Sequence, residues 1–196
     1  EVTSQFFIKL QQAYSFFTMY ANVDGFEYKE EDIEYKERPD FDRWILSELN
    51  TLVKNVETYL DDYDPTPAGR LIQSFVIDNL SNWYIRLNKP RYWSGEMTID
   101  KLSAYQTLYI CLDTLSRLIA PIAPFFAEQL YRDLNDVTGK DTTKSVHLAT
   151  FPVCDETKFD DKIEERMDLV RDLISLGRNA REEVKIKVRQ PISEVL

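Results

Sequence analysis

The chain has 196 residues, of which 43% are hydrophobic, and a formal net charge of −10 from 34 acidic and 24 basic residues. This length suffices to bury one sizeable core. Only 5 glycines and many strong helix formers favour a mostly α fold over a turn-rich β fold. Because an acidic chain repels polyanions, non-specific coating of DNA is excluded, and any nucleic-acid binding must be confined to a local basic surface.

The first predicted helix runs over Thr3–Asn22, where apolar side chains recur at helical spacing. The charged segment 27–40 is interpreted as a solvated linker. An amphipathic helix follows it and stops before Pro65, where the chain turns back. A third helix follows, and its buried arc is predicted to consist of Leu71, Phe75, Val76, Leu80, Trp83 and Leu87.

The second half of the chain continues the helical pattern. Thr98 is typical of an N-cap, and Pro121 and Pro124 interrupt the apolar run after the helix that Thr98 begins. A last helix spans residues 163–180. Val184–Arg189 then alternates apolar and basic side chains, which predicts a strand. The fold class is therefore mostly α, an antiparallel helical bundle whose short C-terminal strand leads into a further domain.

A basic and aromatic cluster follows the middle of the third helix. Four basic residues and one acidic residue lie between Arg70 and Trp93. Amides, rings and guanidinium planes next to positive charge can hold unstacked bases beside a phosphate backbone. The sequence therefore predicts RNA contacts for Asn82, Arg86, Lys89, Arg91, Tyr92 and Trp93.

Each of these residues also has a structural interpretation. Asn82 and Arg86, four residues apart, share the polar border of the helix and could equally brace a neighbouring helix. Tyr92 and Trp93 follow Pro90 and are expected in a loop, where residues carry function more often than in a core.

Catalytic and metal sites are not predicted. The one histidine, His147, cannot supply the two Glu-x-x-His pairs of a di-metal bundle. Cys111 lies in an apolar helix and is expected to be inert, and the wide separation of Cys111 and Cys154 indicates a reducing, cytoplasmic compartment. No stretch approaches the roughly 18 unbroken apolar residues of a membrane span, so no membrane partner is expected.

Several segments together resemble the anticodon-binding helical domain of class I aminoacyl-tRNA synthetases. The likeness is greatest to the isoleucyl enzymes and covers nearly the whole chain. The segment Leu118–Glu128 is shared with valyl and leucyl relatives, whereas Tyr20–Phe26 combined with Asn79–Arg86 is more specific. The other matching segments are Tyr14–Phe17, Phe41–Ser47, Arg91–Trp93, Ser145–Leu148 and Val188–Ile192.

The resemblance implies a part of a larger enzyme that uses ATP, with magnesium, to ligate isoleucine to its tRNA. The catalytic signatures of such enzymes, His-Ile-Gly-His and Lys-Met-Ser-Lys-Ser, are absent from this sequence. Residues 1–26 would then lead in from the catalytic part, residues 27–183 would form the anticodon-binding bundle, and residues 184–196 would begin a truncated C-terminal domain. The implied partners are isoleucine tRNA and the other domains of the same chain, with no DNA.

A second basic group accompanies the last predicted helix. We expect it to flank one groove for the anticodon stem-loop together with the first cluster, although solvated lysines are common at such positions. The alternatives are the corresponding domain of a valyl enzyme and a helical protein-interaction module. The RNA contacts predicted in this second group are Arg178, Arg181, Lys185 and Lys187.

Overall fold

The structure, a computed structural model, describes residues 3–191, and within this range it contains helices, turns and no strand. The mostly α fold predicted from the sequence is confirmed. Short 3-10 helices occur at Tyr35–Glu37 and Glu156–Lys158. The longer elements are a π-helical turn (Thr3–Phe7), α1 (Ile8–Asp24), α2 (Asp40–Asp61), α3 (Pro65–Ser74), a π-helical segment (Phe75–Ile85), α4 (Arg86–Trp93), α5 (Ile99–Ile119), α6 (Pro124–Thr138) and α7 (Asp161–Glu183).

The chain forms two compact units, one ending at Phe159 and the other beginning at Asp160. In the first unit, α5 is the central helix, because α1, α2, α3, α4 and α6 all pack against it. Most of its side chains are buried. The second unit contains α7.

The ends of α5 and α6 follow from local chemistry. The hydroxyl of Thr98 accepts a hydrogen bond from the backbone N–H of Lys101 at 3.1 Å, which confirms the predicted N-cap. α5 ends at Ile119, and α6 begins at Pro124, whose missing N–H is harmless in a first helical turn. The predicted interruption by proline is thus confirmed.

α3, the π-helical segment and α4 form one uninterrupted helix, which we call the long helix (Pro65–Trp93). The backbone is right-handed helical at Ser74, Phe75, Ile85 and Arg86, where the segments join. Its buried side chains include a row of residues spaced four apart: Ile72, Val76, Leu80, Tyr84, Asn88 and Tyr92.

This row explains an error in the predicted buried arc. In an α-helix, residues four apart drift around the axis by about 40° per step. In a π-helical turn each hydrogen bond joins residues five apart, so the turn contains more residues than an α-helical turn. Residues spaced four apart therefore stay on one side of the helix. The arc predicted at α spacing was therefore wrong at Leu87, which is 54% exposed.

The loop predicted after Pro90 was also wrong, because the helix continues to Trp93. Inside a helix, proline removes one N–H and its ring crowds the carbonyl four residues earlier, which costs about 3 kcal/mol or more. The hydroxyl of Tyr92 donates to the carbonyl of Ala104 in α5 at 2.9 Å and holds this turn in place.

The charged segment before α2, interpreted as a solvated linker, joins α1 to α2, and most of its side chains are exposed. Arg38 is 5% exposed. Its guanidinium donates to the carbonyls of Ile33 (3.0 Å) and Ser103 (3.3 Å). It also donates to Thr107 Oγ1 (2.9 Å) and Gln106 Oε1 (3.1 Å). One buried cation thus fixes this connecting segment to α5.

The chain after α7 forms turns through residue 191. The strand predicted for Val184–Arg189 is not formed within the described residues, since a strand requires a neighbouring strand and residues 3–191 contain none. The rest of the predicted C-terminal segment, residues 192–196, lies outside the described residues. No helix between residues 3 and 191 has both the length and the apolar character needed to cross a bilayer.

We predict that Arg38→Ala releases the segment before α2. The backbone N–H of Ile33 donates to Gln106 Oε1 at 2.9 Å, and Arg38 orients that amide. Amide hydrogen exchange at Ile33 should accelerate, and the free energy of unfolding should fall by about 1–3 kcal/mol because several acceptors lose their donor. The exposed Lys36→Ala, in the same segment, is the control; equal exchange in both variants would contradict the prediction.

Candidate nucleic-acid interface

Four of the predicted RNA contacts lie together on the solvent side of the long helix. Asn82, Arg86, Lys89 and Trp93 are separated by four, three and four residues, which keeps them on one helical face. All four are exposed, and Trp93 is 61% exposed. We call these four residues the Asn82–Trp93 face.

The two cations of this face remain available to a ligand. Within the part of the chain that the structure describes, neither Arg86 nor Lys89 forms an ion pair. The amide of Asn82 supplies donors and an acceptor one turn earlier. The face therefore combines hydrogen-bonding groups, uncompensated positive charge and an open ring.

Arg91, also predicted to contact RNA, does not belong to this face, because its guanidinium binds two carboxylates. Its Nη1 and Nη2 donate to the two carboxylate oxygens of Asp42 at 2.6 and 2.9 Å. Its Nε donates to Asp100 Oδ2 at 2.9 Å, and the side chain is 14% exposed. Two carboxylates neutralise the guanidinium, which leaves no charge for a phosphate.

Asp42 is the centre of a buried network. It is 0% exposed and lies in the first turn of α2, where the helix dipole favours negative charge. It also accepts hydrogen bonds from Tyr84 Oη at 2.7 Å and Ser103 Oγ at 2.6 Å. The network therefore joins α2, the long helix and α5 at one carboxylate.

The network also raises the pKa values of Arg91 and Tyr84. Burial alone lowers the pKa of Arg91, but the hydrogen bonds and charge of Asp42 outweigh it, so the pKa rises above the ordinary arginine value. Burial first, and then the charge of Asp42, raise the pKa of Tyr84 well above its usual value. Tyr84 thus keeps the proton that it donates.

Tyr92, also predicted to contact RNA, is buried. Its side chain is 2% exposed. Its ring packs edge-on against Phe16 and Tyr105, with centroid distances of 5.0 Å in both cases. Because neighbouring side chains cover the ring, no face is left for a base. Tyr92 belongs to the aromatic core between α1, α4 and α5.

Trp93 has a partner that the sequence did not indicate. Its indole Nε1 donates to the hydroxyl of Tyr20 in α1 at 2.8 Å, across 73 residues of sequence. The ring of Tyr20 lies 4.9 Å from that of Phe16. No motif or spacing relates Tyr20 to Trp93, since their proximity depends on how α1 packs against the long helix.

The second predicted group belongs to the second unit, whereas the Asn82–Trp93 face belongs to the first. Arg178 and Arg181 lie near the end of α7, and Lys185 and Lys187 lie in the turns that follow. Arg181 Nη1 donates to the carbonyls of Lys187 at 3.0 Å and Gln190 at 2.8 Å, so it also closes this turn.

Groups that could support other chemistry are few. Burial raises the pKa of the Cys111 thiol, which is fully enclosed in α5. Among residues 3–191, no three histidine, cysteine or carboxylate side chains cluster in a way that could hold a metal ion.

The fold and this face define a class of protein: a helical-bundle domain that presents a basic and aromatic surface on one long helix. A family model described as the anticodon-binding domain of tRNA ligase matches residues 42–196. The chain belongs to this family of anticodon-binding domains, as the sequence motifs indicated.

The chain is similar to several isoleucine–tRNA ligases. The chain is 56% identical over all 196 residues to the enzyme of Bacteroides thetaiotaomicron, of which it spans 17%. It is 52% identical to that of Cytophaga hutchinsonii, of which it spans 18%. It is 51% identical over 195 residues to that of Dehalococcoides mccartyi, of which it spans 19%. The chain thus spans less than a fifth of the length of these relatives.

We predict that Arg91→Ala unfolds the first unit more readily, whereas Arg86→Ala does not. Removing Arg91 leaves Asp42 buried without its ionic partner, which costs about 3–5 kcal/mol. Arg86 is a matched control, since it is an exposed arginine on the same helix and its removal should change stability by no more than about 0.5 kcal/mol. Urea unfolding measures both. Equal losses in the two variants would contradict the assigned roles.

Proposed function

We propose that this domain binds the anticodon stem-loop of isoleucine tRNA as part of an isoleucine–tRNA ligase, and that the Asn82–Trp93 face contacts the RNA. The observation that carries this proposal is the convergence of one amide, two uncompensated cations and an exposed indole on one helix of an otherwise acidic chain. Membership in the anticodon-binding family supports the same ligand.

Each residue of the face has a distinct role in the proposal. Arg86 and Lys89 bind backbone phosphates and set the register of the loop. Asn82 reads the edge of an unstacked base, and Trp93 stacks on a base face. The Asp42–Arg91 ion pair holds the long helix in the orientation that presents these groups. The net negative charge of the remaining surface disfavours other modes of RNA binding.

The second basic group is proposed as a further contact to the RNA backbone. Arg178, Lys185 and Lys187 are exposed, and Arg181 combines this role with its hydrogen bonds to the following turn. Such contacts add affinity without sequence information.

The proposal includes the longer enzyme. Isoleucine, and ATP with magnesium, would react in a catalytic part outside this chain, in the cytoplasm and without a membrane or DNA partner. Residues 1–26 would lead in from that part, residues 27–183 would form the anticodon-binding bundle, and residues 184–196 would begin a C-terminal domain. A valine-specific enzyme is the nearest alternative, and the names of the relatives favour isoleucine.

We predict that Arg86→Ala and Lys89→Ala each weaken binding of isoleucine tRNA and reduce its salt dependence. Each lost phosphate contact should make the slope of log Kd against log salt shallower by about 0.7–0.9. Fluorescence titrations at several salt concentrations measure both effects. Arg132→Ala, an exposed arginine on α6, serves as a charge-matched control with an unchanged slope.

A comparison of the affinities for different tRNA transcripts distinguishes the candidate functions. Isoleucine tRNA should bind more tightly than valine tRNA at each salt concentration. A preference for valine tRNA would assign the domain to a valine enzyme. Equal binding of every transcript, with unchanged slopes in the variants, would indicate a protein-interaction module instead.

We predict that Lys187→Glu weakens tRNA binding because charge reversal replaces attraction to phosphate with repulsion. Lys162→Glu, at the start of α7 in the same unit, is the control and should bind as the unaltered chain does. An equal loss in both variants would indicate a general effect of net charge and would remove Lys187 from the interface.

A further inference from the structure

Trp93 combines exposure to solvent with a hydrogen bond to another side chain. Its side chain is 61% exposed, yet its indole N–H is bound by the hydroxyl of Tyr20 and not left to water. An exposed tryptophan can otherwise turn about two side-chain torsions. The hydrogen bond, at 2.8 Å, restricts those torsions and fixes the plane of the ring.

Tyr20 is itself held by the aromatic core. Its ring lies 4.9 Å from that of Phe16 and 6.1 Å from that of Tyr92. Tyr92 is buried, and its hydroxyl donates a hydrogen bond to the carbonyl of Ala104. The exposed indole is therefore connected through Tyr20 to the packed core of the first unit, in which α1 and α5 are in contact.

We infer that Trp93 and Tyr20 form a preorganised stacking platform for one unpaired nucleobase, with Trp93 as the contact residue and Tyr20 as its positioning residue. The inference rests on the proposed function and names the part of the RNA that this end of the face binds. A base stacks best on a ring whose orientation is already set, because the cost of ordering the side chain is not incurred on binding. Every base offers a π face, so the platform needs no particular base.

The surrounding charges suit a nucleotide. Lys89 lies one helical turn before the indole and is exposed, within reach of a phosphate beside the stacked base. The carboxylate of Asp24, which lies one helical turn after Tyr20 on α1, is paired with Lys101 at 2.6 Å. Its repulsion of a phosphate is thereby reduced.

An unpaired base fits this platform, whereas a base-paired stem does not. In a duplex the base faces are covered by their neighbours, and the grooves offer a protein edges and phosphates. The loop of a stem-loop exposes base faces that can be splayed onto an aromatic ring. The platform therefore predicts a contact with loop nucleotides and none with the stem.

The test uses Tyr20→Phe, which removes the hydroxyl and keeps the packed ring. We expect the Kd for an anticodon stem-loop to rise about threefold to fivefold, with an unchanged salt slope, because no charge is lost. Binding of a blunt RNA duplex should not change. Tyr63→Phe, which removes the hydroxyl of a 94% exposed tyrosine, is the matched control and should bind as the unaltered chain does.

A second readout follows the indole without RNA. Nitrogen-15 NMR resolves the indole N–H groups of the three tryptophans, and Trp93→Phe identifies the signal of Trp93. Its exchange with water should be slow in the unaltered chain and fast in Tyr20→Phe. Adding Tyr20→Phe to Trp93→Phe should cause no further loss of RNA affinity, since the positioned ring is already absent.

The outcomes separate this inference from the proposed function. Unchanged indole exchange in Tyr20→Phe, unchanged stem-loop affinity, or an equal loss for the duplex would overturn the platform alone. Failure of the unaltered chain to bind any RNA would overturn both the platform and the proposed function. Additive losses in the double variant would show that Tyr20 acts independently of Trp93, which also overturns the positioning role.

Discussion

The arrangement of the first unit depends on the ion pair between Asp42 and Arg91. Removing two charges from water costs several kcal/mol per ion unless the geometry is excellent and the remaining acceptor sites are satisfied. Both conditions are met here, since the guanidinium binds both carboxylate oxygens and Tyr84 and Ser103 donate to the same group. Because three helical elements meet at Asp42, the rotation of the long helix about its own axis is determined, and with it the set of residues that faces solvent.

The π-helical segment Phe75–Ile85 makes this arrangement possible over the whole length of the helix. A row of buried side chains spaced four apart would spiral away from the core in a regular α-helix. With wider turns in the middle, the buried row and the exposed row stay on opposite sides. The same geometry that places Tyr84 and Tyr92 in the core therefore places Arg86 and Lys89 in solvent.

Charge pairing gives the face its chemical character. Arg91, Lys101 and Arg117 are paired with carboxylates inside the first unit. Arg86 and Lys89 are exposed and form no ion pair in the described part of the chain. A local positive surface in an acidic protein attracts a polyanion to one place and repels it elsewhere. In the proposed complex, the fixed orientation of the indole at the end of this surface adds selectivity for unpaired nucleotides, which charge alone does not provide.

The sequence by itself determined the helical class, the N-cap at Thr98, the proline interruption before α6 and the family, because these depend on spacing and on motifs within a few turns. The tertiary structure decided which side chains of the basic cluster are available to a ligand. Arg91 and its partner Asp42 are 49 residues apart, and Trp93 and Tyr20 are 73 apart. Local sequence carries no information on such pairs, since burial and pairing arise only when distant helices pack and remove charges and rings from water.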